Sequence, residues 1–225
     1  MNSVQDLSVE FSVLAKNKKY EWIYSNNLDL EEMDYLYNKL KYIDLDKLVD
    51  EDAKKAFYIN IYNGLVNYFI IKMRLKDFIP KGKSFFRNQK ANIGGYMWSL
   101  DDIEHGILRK NKRPLNSFRL LIKDDDPRKK YILDNEDCRI HFALNCGGKS
   151  CPAIRAYTSD NINNELNISE EVFINSEIEI DDVNRTIVTS KLFKWYRKDF
   201  KNRYIFIDEY KGYRIIYRDY SWSLI

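Results

Sequence analysis

The stretch Arg139-Ile140-His141-Phe142-Ala143-Leu144-Asn145-Cys146-Gly147-Gly148-Lys149-Ser150-Cys151-Pro152 holds one of the chain's two histidines and two of its three cysteines. These are residue types from which an acyl-transfer site can be built. A thiol supplies the nucleophile, an imidazole the base, and a compact glycine turn offers backbone N–H groups to an oxyanion. Residues 139–144 read as a short buried strand, apolar and bounded by turn formers. Gly147-Gly148 lets the backbone approach a neighbour or a ligand closely. Pro152 suits the first position of a helix, which makes Cys151 its N-cap, where the helix dipole favours a thiolate.

The second histidine, His105, falls in a segment that reads as a helix to about Arg109, opened by Ser99 as N-cap with Asp101 and Asp102 in its first turn. Asp101 stands one turn before His105 and Arg109 one turn after it. Asn60, Asn63 and Asn67, spaced by three and four, share one face of an otherwise apolar helix over residues 51–75. Two readings of these amides stand. They tie neighbouring loops to the helix, or Asn60 or Asn63 orients a catalytic histidine or supplies an oxyanion donor.

The elements that must position these groups follow from hydrophobic spacing. Residues 3–43 carry apolar positions at three and four and read as a helical layer with charged outer faces. The helix over 51–75 is apolar around much of its circumference and is expected to be central and buried. A basic loop around Pro80 and Gly82 follows, then a tight hairpin about Gly94-Gly95. Further on come a helix over 159–175, a hairpin across Asp181-Asp182-Val183-Asn184, a helix over 191–200 capped by Ser190, and a strand over 213–217. The class expected is α+β: a helical N-terminal layer and a central buried helix packed on a small, largely antiparallel sheet. One domain over 1–225 is the reading, with 1–44 as a helical N-terminal extension and 45–225 as the core.

Composition narrows the function classes. A net charge of +3 from 37 basic and 34 acidic residues is nearly balanced, so the short basic runs at 110–113 and 128–130 read as solvated loops and no nucleic-acid partner is expected. No apolar run approaches the ~20 residues of a membrane span, and the first residues lack a secretory pattern. An odd number of cysteines clustered in one segment fits reduced thiols in a cytoplasmic protein. Asp124-Asp125-Asp126 lacks the spacing of a calcium loop and reads as a turn. Gly148-Lys149-Ser150 is no phosphate loop, because Ala143 stands where that motif needs glycine.

Several motifs occur in a characteristic order. They are Ala56-Phe57-Tyr58-Ile59-Asn60-Ile61-Tyr62-Asn63, Ile93-Gly94-Gly95, Leu100-Asp101-Asp102-Ile103-Glu104-His105-Gly106-Ile107-Leu108-Arg109, His141-Phe142-Ala143-Leu144-Asn145-Cys146-Gly147, Ser150-Cys151-Pro152, Phe193-Lys194-Trp195-Tyr196-Arg197-Lys198-Asp199-Phe200 and Tyr220-Ser221-Trp222-Ser223-Leu224. In these the chain resembles the domain-of-unknown-function 547 family, over about residues 45–225. The resemblance implies the family and leaves the chemistry open. The chain departs from the family's usual ending at Ser221, where Asp is common, and at Ile225, where Asn is usual. Three readings remain. One is a cysteine-dependent hydrolase or acyltransferase, papain-like or transglutaminase-like in chemistry, with Cys151 as nucleophile, His141 or His105 as base, and Asn63 or Asn60 orienting it. Another is a zinc site of Cys146, Cys151, His141 and His105. The third is a non-catalytic binding or scaffold domain, with the substrate or protein partner unidentified.

Overall fold

The chain is organised around α3 (Glu51–Lys72), which is buried without interruption from Lys55 to Ile71. In the computed structural model, which describes residues 3–25, 29–77, 83–115 and 117–224, Asp50 caps this helix by accepting the Ala53 N–H at 2.7 Å. α1 (Val4–Ser25) lies along it. The two backbones come close at Gly64, where a Cβ would sit 2.6 Å from a ring carbon of Phe11. α2 (Glu31–Lys39) completes the helical layer, with Met33 and Leu36 buried. Pro80 and Gly82, the centre of the basic loop expected over residues 76–90, and Ile225 lie outside the described residues; within that stretch Lys83–Asn88 is not loop but a short helix, α4.

The predicted Gly-Gly hairpin is present as β1 (Lys90–Ile93) and β2 (Tyr96–Ser99), antiparallel, with Gly94 and Gly95 both at positive φ. α5 (Ile162–Glu177) leads to β3 (Glu179–Asp181), which pairs antiparallel with β4 (Thr186–Ser190). β5 (Arg214–Arg218) then pairs with β4 in parallel. The expected largely antiparallel sheet is thus two small sheets, one with a parallel edge. The class is α+β. Apolar burial forms two clusters, one around α3 and one around Phe142, Phe173, Phe193 and Phe200. Among the described residues no helix is long and apolar enough to cross a membrane.

Two local expectations change. Residues 139–144 are not a strand; Cys138–Phe142 winds as a 3-10 turn because the Asp137 carboxylate caps it, accepting the Arg139 N–H at 3.1 Å. The helix expected over 191–200 breaks at Tyr196 into α6 (Lys191–Trp195) and α7 (Arg197–Phe200).

Candidate active site

Three capped segments deliver the chemistry. Ser99 and Asp102 bond reciprocally, each side chain taking the other's backbone N–H at 3.0 and 2.9 Å. The segment they open, Asp102–Leu108, is a π-helix, with Arg109 N–H bonded to Glu104 C=O and Asn111 N–H to Gly106 C=O. It presents Glu104, His105 and Arg109, all buried. The Asp137-capped turn presents His141. Ser190 caps α6 by accepting the Leu192 N–H at 3.3 Å, and the break after it aims Tyr196 and Asp199 at the other two segments.

Asp199 gathers three cations or donors. Its Oδ2 lies 2.9 Å from His141 Nε2 and 2.7 Å from Arg109 Nε, and its Oδ1 lies 2.9 Å from Lys112 Nζ. Burial alone would raise this carboxyl, but the bonds from His141 and Arg109 outweigh it and hold its pKa far below the ordinary value. An ionised Asp199 only accepts, so His141 carries its proton on Nε2 and keeps the Nδ1 lone pair. Among the described residues nothing hydrogen-bonds to that Nδ1. The His141 ring stacks on Tyr196 with centroids 3.8 Å apart, and burial lowers its pKa from the ordinary histidine value.

His105 has the opposite arrangement. Its Nδ1 lies 2.8 Å from Arg109 Nη1, and a guanidinium only donates, so the lone pair is occupied and the proton sits on Nε2. Burial drives its pKa down to about 4, leaving it neutral near pH 7. Glu104 accepts the Tyr196 hydroxyl at 2.5 Å and the Tyr62 hydroxyl at 3.1 Å. Burial would raise it, yet His105, Tyr196 and Arg109 together bring its pKa below the ordinary glutamate value.

The cysteine expectations are revised. Cys146 and Cys151 are joined as a disulfide rather than standing as reduced thiols. The turn between them brings their Cα atoms to 6.2 Å, within the span such a bond bridges. Tyr220 Oη lies 3.1 Å from the Cys146 sulfur and 3.0 Å from that of Cys151. Cys151 caps no helix, because residues 152–158 run irregularly after it. Gly148 does serve a close approach: a Cβ there would lie 2.8 Å from the Ser221 carbonyl oxygen.

Glu104, His105, His141, Tyr196 and Cys146 line one cavity of about 550 Å³, whose remaining wall includes the aromatic Tyr62, Phe86, Trp195, Tyr220 and Trp222, several aliphatic side chains, and the charged Asp101 and Lys194. Cys151 lines a different space of about 210 Å³. The structure therefore places both histidines and Cys146 on one cavity, while Cys151 borders another.

Asn60 bonds the Tyr157 backbone through both amide atoms and the Ser8 hydroxyl. Asn63 donates to Ala143 C=O and accepts the Asn145 N–H at 2.8 Å. Both thus spend their amides tying segments to α3, and Asn63 fixes the start of the cysteine turn. Among the described residues no group of three or more His, Cys, Asp or Glu side chains is arranged to hold a metal ion. The four residues of the zinc reading have other partners: the sulfurs each other, His141 Asp199, and His105 Arg109.

Sequence reasoning gives no role to Asp199, Glu104, Tyr196 or Tyr220, although each lies inside one of the ordered motifs. An acid among the aromatics of 193–200, and a glutamate beside the second histidine, are the available signals.

A family model described as "Protein of unknown function, DUF547" matches residues 45–174. No curated protein matches the chain, and no solved structure does. The matched stretch holds Glu104, His105, His141 and both cavity-region cysteines, while Tyr196, Asp199 and Tyr220 lie beyond it.

Proposed function

Since the chain belongs to the DUF547 family of proteins of unknown function, we propose its function from the site alone: a thiol-dependent hydrolase or acyltransferase, active once the Cys146–Cys151 pair is reduced. The observation that supports this reading is the pairing of His141 with Asp199 on the wall that also carries Cys146. Cys146, not Cys151, is the nucleophile, because it shares the cavity with the histidines. His141 is the base, because its Nδ1 lone pair is open while that of His105 is taken by Arg109.

External thiols reduce the disulfide by two electrons. The Nδ1 of His141 then takes the Cys146 proton as sulfur adds to a carbonyl carbon, and the imidazolium returns that proton to the departing oxygen, nitrogen or sulfur. Water or a second acceptor, deprotonated by the same nitrogen, releases the acyl group. Asp199 is a positioning residue that holds the tautomer and steadies the imidazolium. The neutral His105 lines the same cavity as Cys146, and its Nε2–H is assigned as a donor to the developing oxyanion. The mainly apolar wall suits an uncharged acyl group.

The test is turnover of a panel of thioesters, esters and amides by reduced protein, with Cys146→Ser and His141→Ala beside it. Activity that both substitutions abolish, and that Cys151→Ser retains, supports the reading. Activity surviving in Cys146→Ser, or no turnover of any member of the panel, sinks it. A folded, reduced protein that binds apolar acyl compounds without turning them over would favour the binding-domain reading instead.

A further inference from the structure

We propose that the same cavity carries a second activity, thiol–disulfide exchange with small apolar thiols and disulfides, in which Cys146 is the exchanging sulfur and Cys151 the resolving one. The joined cysteines border different spaces: Cys146 lines the cavity of about 550 Å³ and Cys151 the one of about 210 Å³. A thiol in the larger cavity therefore meets Cys146 first, and the bond breaks with Cys151 as the leaving group. The Cys146 backbone N–H lies 3.2 Å from that leaving sulfur, and the Tyr220 hydroxyl, 3.0 Å from it and 3.1 Å from the Cys146 sulfur, gives its proton to whichever becomes the thiolate. Hydrogen bonds to a thiolate lower its basicity, and a less basic thiolate leaves faster. Burial keeps the Tyr220 proton in place well above the ordinary tyrosine range, so this hydroxyl remains a donor. The wall beside Cys146 is built from Tyr220 with Trp195 and Trp222, their ring centroids 4.8 and 5.0 Å from its own. That aromatic surface suits aromatic or aliphatic thiols.

The chemistry balances with the substrate thiol as reductant. A thiolate attacks the Cys146 sulfur, forming a mixed disulfide while the electron pair of the broken bond stays on Cys151. A second thiolate attacks the substrate sulfur of that mixed disulfide, which releases the substrate disulfide and leaves an electron pair on Cys146. The two protons lost by the substrate thiols end on the two cysteines. The substrate pair is oxidised by two electrons and the protein pair reduced by two. The reverse reaction, with a small disulfide as oxidant, restores the bond. Neither direction uses His141 or Asp199, so exchange stands or falls separately from acyl transfer.

The full chain, purified without reductant, is treated with benzyl mercaptan, quenched in acid within milliseconds to seconds, and mapped by mass spectrometry. The mixed disulfide is expected on Cys146 and not on Cys151 or Cys138. With dithiodipyridine as oxidant, Cys146 in Cys151→Ser is expected to react at least about tenfold faster than Cys151 in Cys146→Ser. Tyr220→Phe slows reduction of the intact pair by about tenfold. An adduct forming first on Cys151, equal rates at the two cysteines, or three free thiols (Cys138 included) in the air-exposed protein overturns the proposal. Mapping on the unsubstituted chain separates these outcomes even where a variant fails to fold. Because no acyl substrate is present, exchange without ester turnover and ester turnover without exchange are told apart.

Discussion

Nε2 of His141 lies 2.9 Å from Oδ2 of Asp199 across 58 positions of the chain, and the same oxygen takes the Arg109 Nε–H at 2.7 Å. One carboxylate thus compensates a buried guanidinium and fixes the tautomer of a buried imidazole. Asp199→Asn removes the charge and keeps the shape, taking from Arg109 its hydrogen-bonded counter-charge and leaving only the more distant Glu104. A loss of about 3 kcal/mol in stability is expected from urea unfolding, since breaking one side of a buried pair strands the other charge. Acyl turnover by the reduced protein should fall about a hundredfold or more. Unchanged stability would remove Asp199 from its central place in the site.

Acid should weaken the fold in a window set by His105. Its folded pKa of about 4 lies below the value of 6.5 it has when exposed, so between these the unfolded chain binds more protons. Stability is full above about pH 6.5, declines as pH falls toward 4, and the decline from this group ends below that. The integrated loss is on the order of 3 kcal/mol. Asp137, whose pKa is brought to about 2 by Arg139 and Lys55 against the opposing effect of burial, adds a second decline below about pH 4. Urea midpoints measured from pH 3 to 8 check both, and His105→Gln should reduce the upper decline, leaving the part that His141, whose pKa burial also lowers, contributes.

The Tyr196 hydroxyl, 2.5 Å from Glu104, gives a third test. Tyr196→Phe keeps the ring that stacks on His141 and removes a bond to a buried charge, at a cost of about 2 kcal/mol. Glu104 then loses a donor that favours its ionised form, so its pKa should rise, read as an upward shift in the carboxyl titration followed by NMR. A variant as stable as the parent would mean that Tyr62 alone satisfies Glu104.

Gly148→Ala tests the seam between the cysteine turn and residues 220–224. The added carbon would meet the backbone of Ser221 and Trp222, which has no flexible end to move aside. The hydrogen bonds that join these stretches, Lys149 N–H to Ser223 C=O at 2.7 Å and Ser221 N–H to Ser150 Oγ at 2.9 Å, would stretch. A destabilisation of about 1–3 kcal/mol is expected in thermal melts, with a change in tryptophan fluorescence from Trp222.

Local signals carry most of the elements. The apolar circumference of α3, the paired glycines of the first hairpin and the caps at Ser99 and Ser190 are each written within a few residues. The turn at 138–142 is not legible in this way, because one carboxylate, Asp137, captures a backbone N–H that a strand would have given to a neighbour. Asp199 is hidden as the partner of His141 for another reason. Nothing near either residue encodes their meeting, which depends on how the break at Tyr196 redirects the chain. The parallel pairing of β5 with β4 is long-range in the same sense. The cysteines are legible as a cluster but not in their placement, since only the folded turn decides which of them lines the larger cavity.

The π-helix at Asp102–Leu108 has a consequence for chain length. A wide turn of this kind behaves as a stored insertion, holding one residue more than an α-helical turn over the same axis. Removing a single residue here would restore α-helical bonding over the same stretch and close the wide turn, shifting Glu104 and His105 within the cavity wall they line. Among related chains, insertions and deletions are therefore expected on either side of this segment and not within it: its length is under tighter constraint than the identity of its apolar residues.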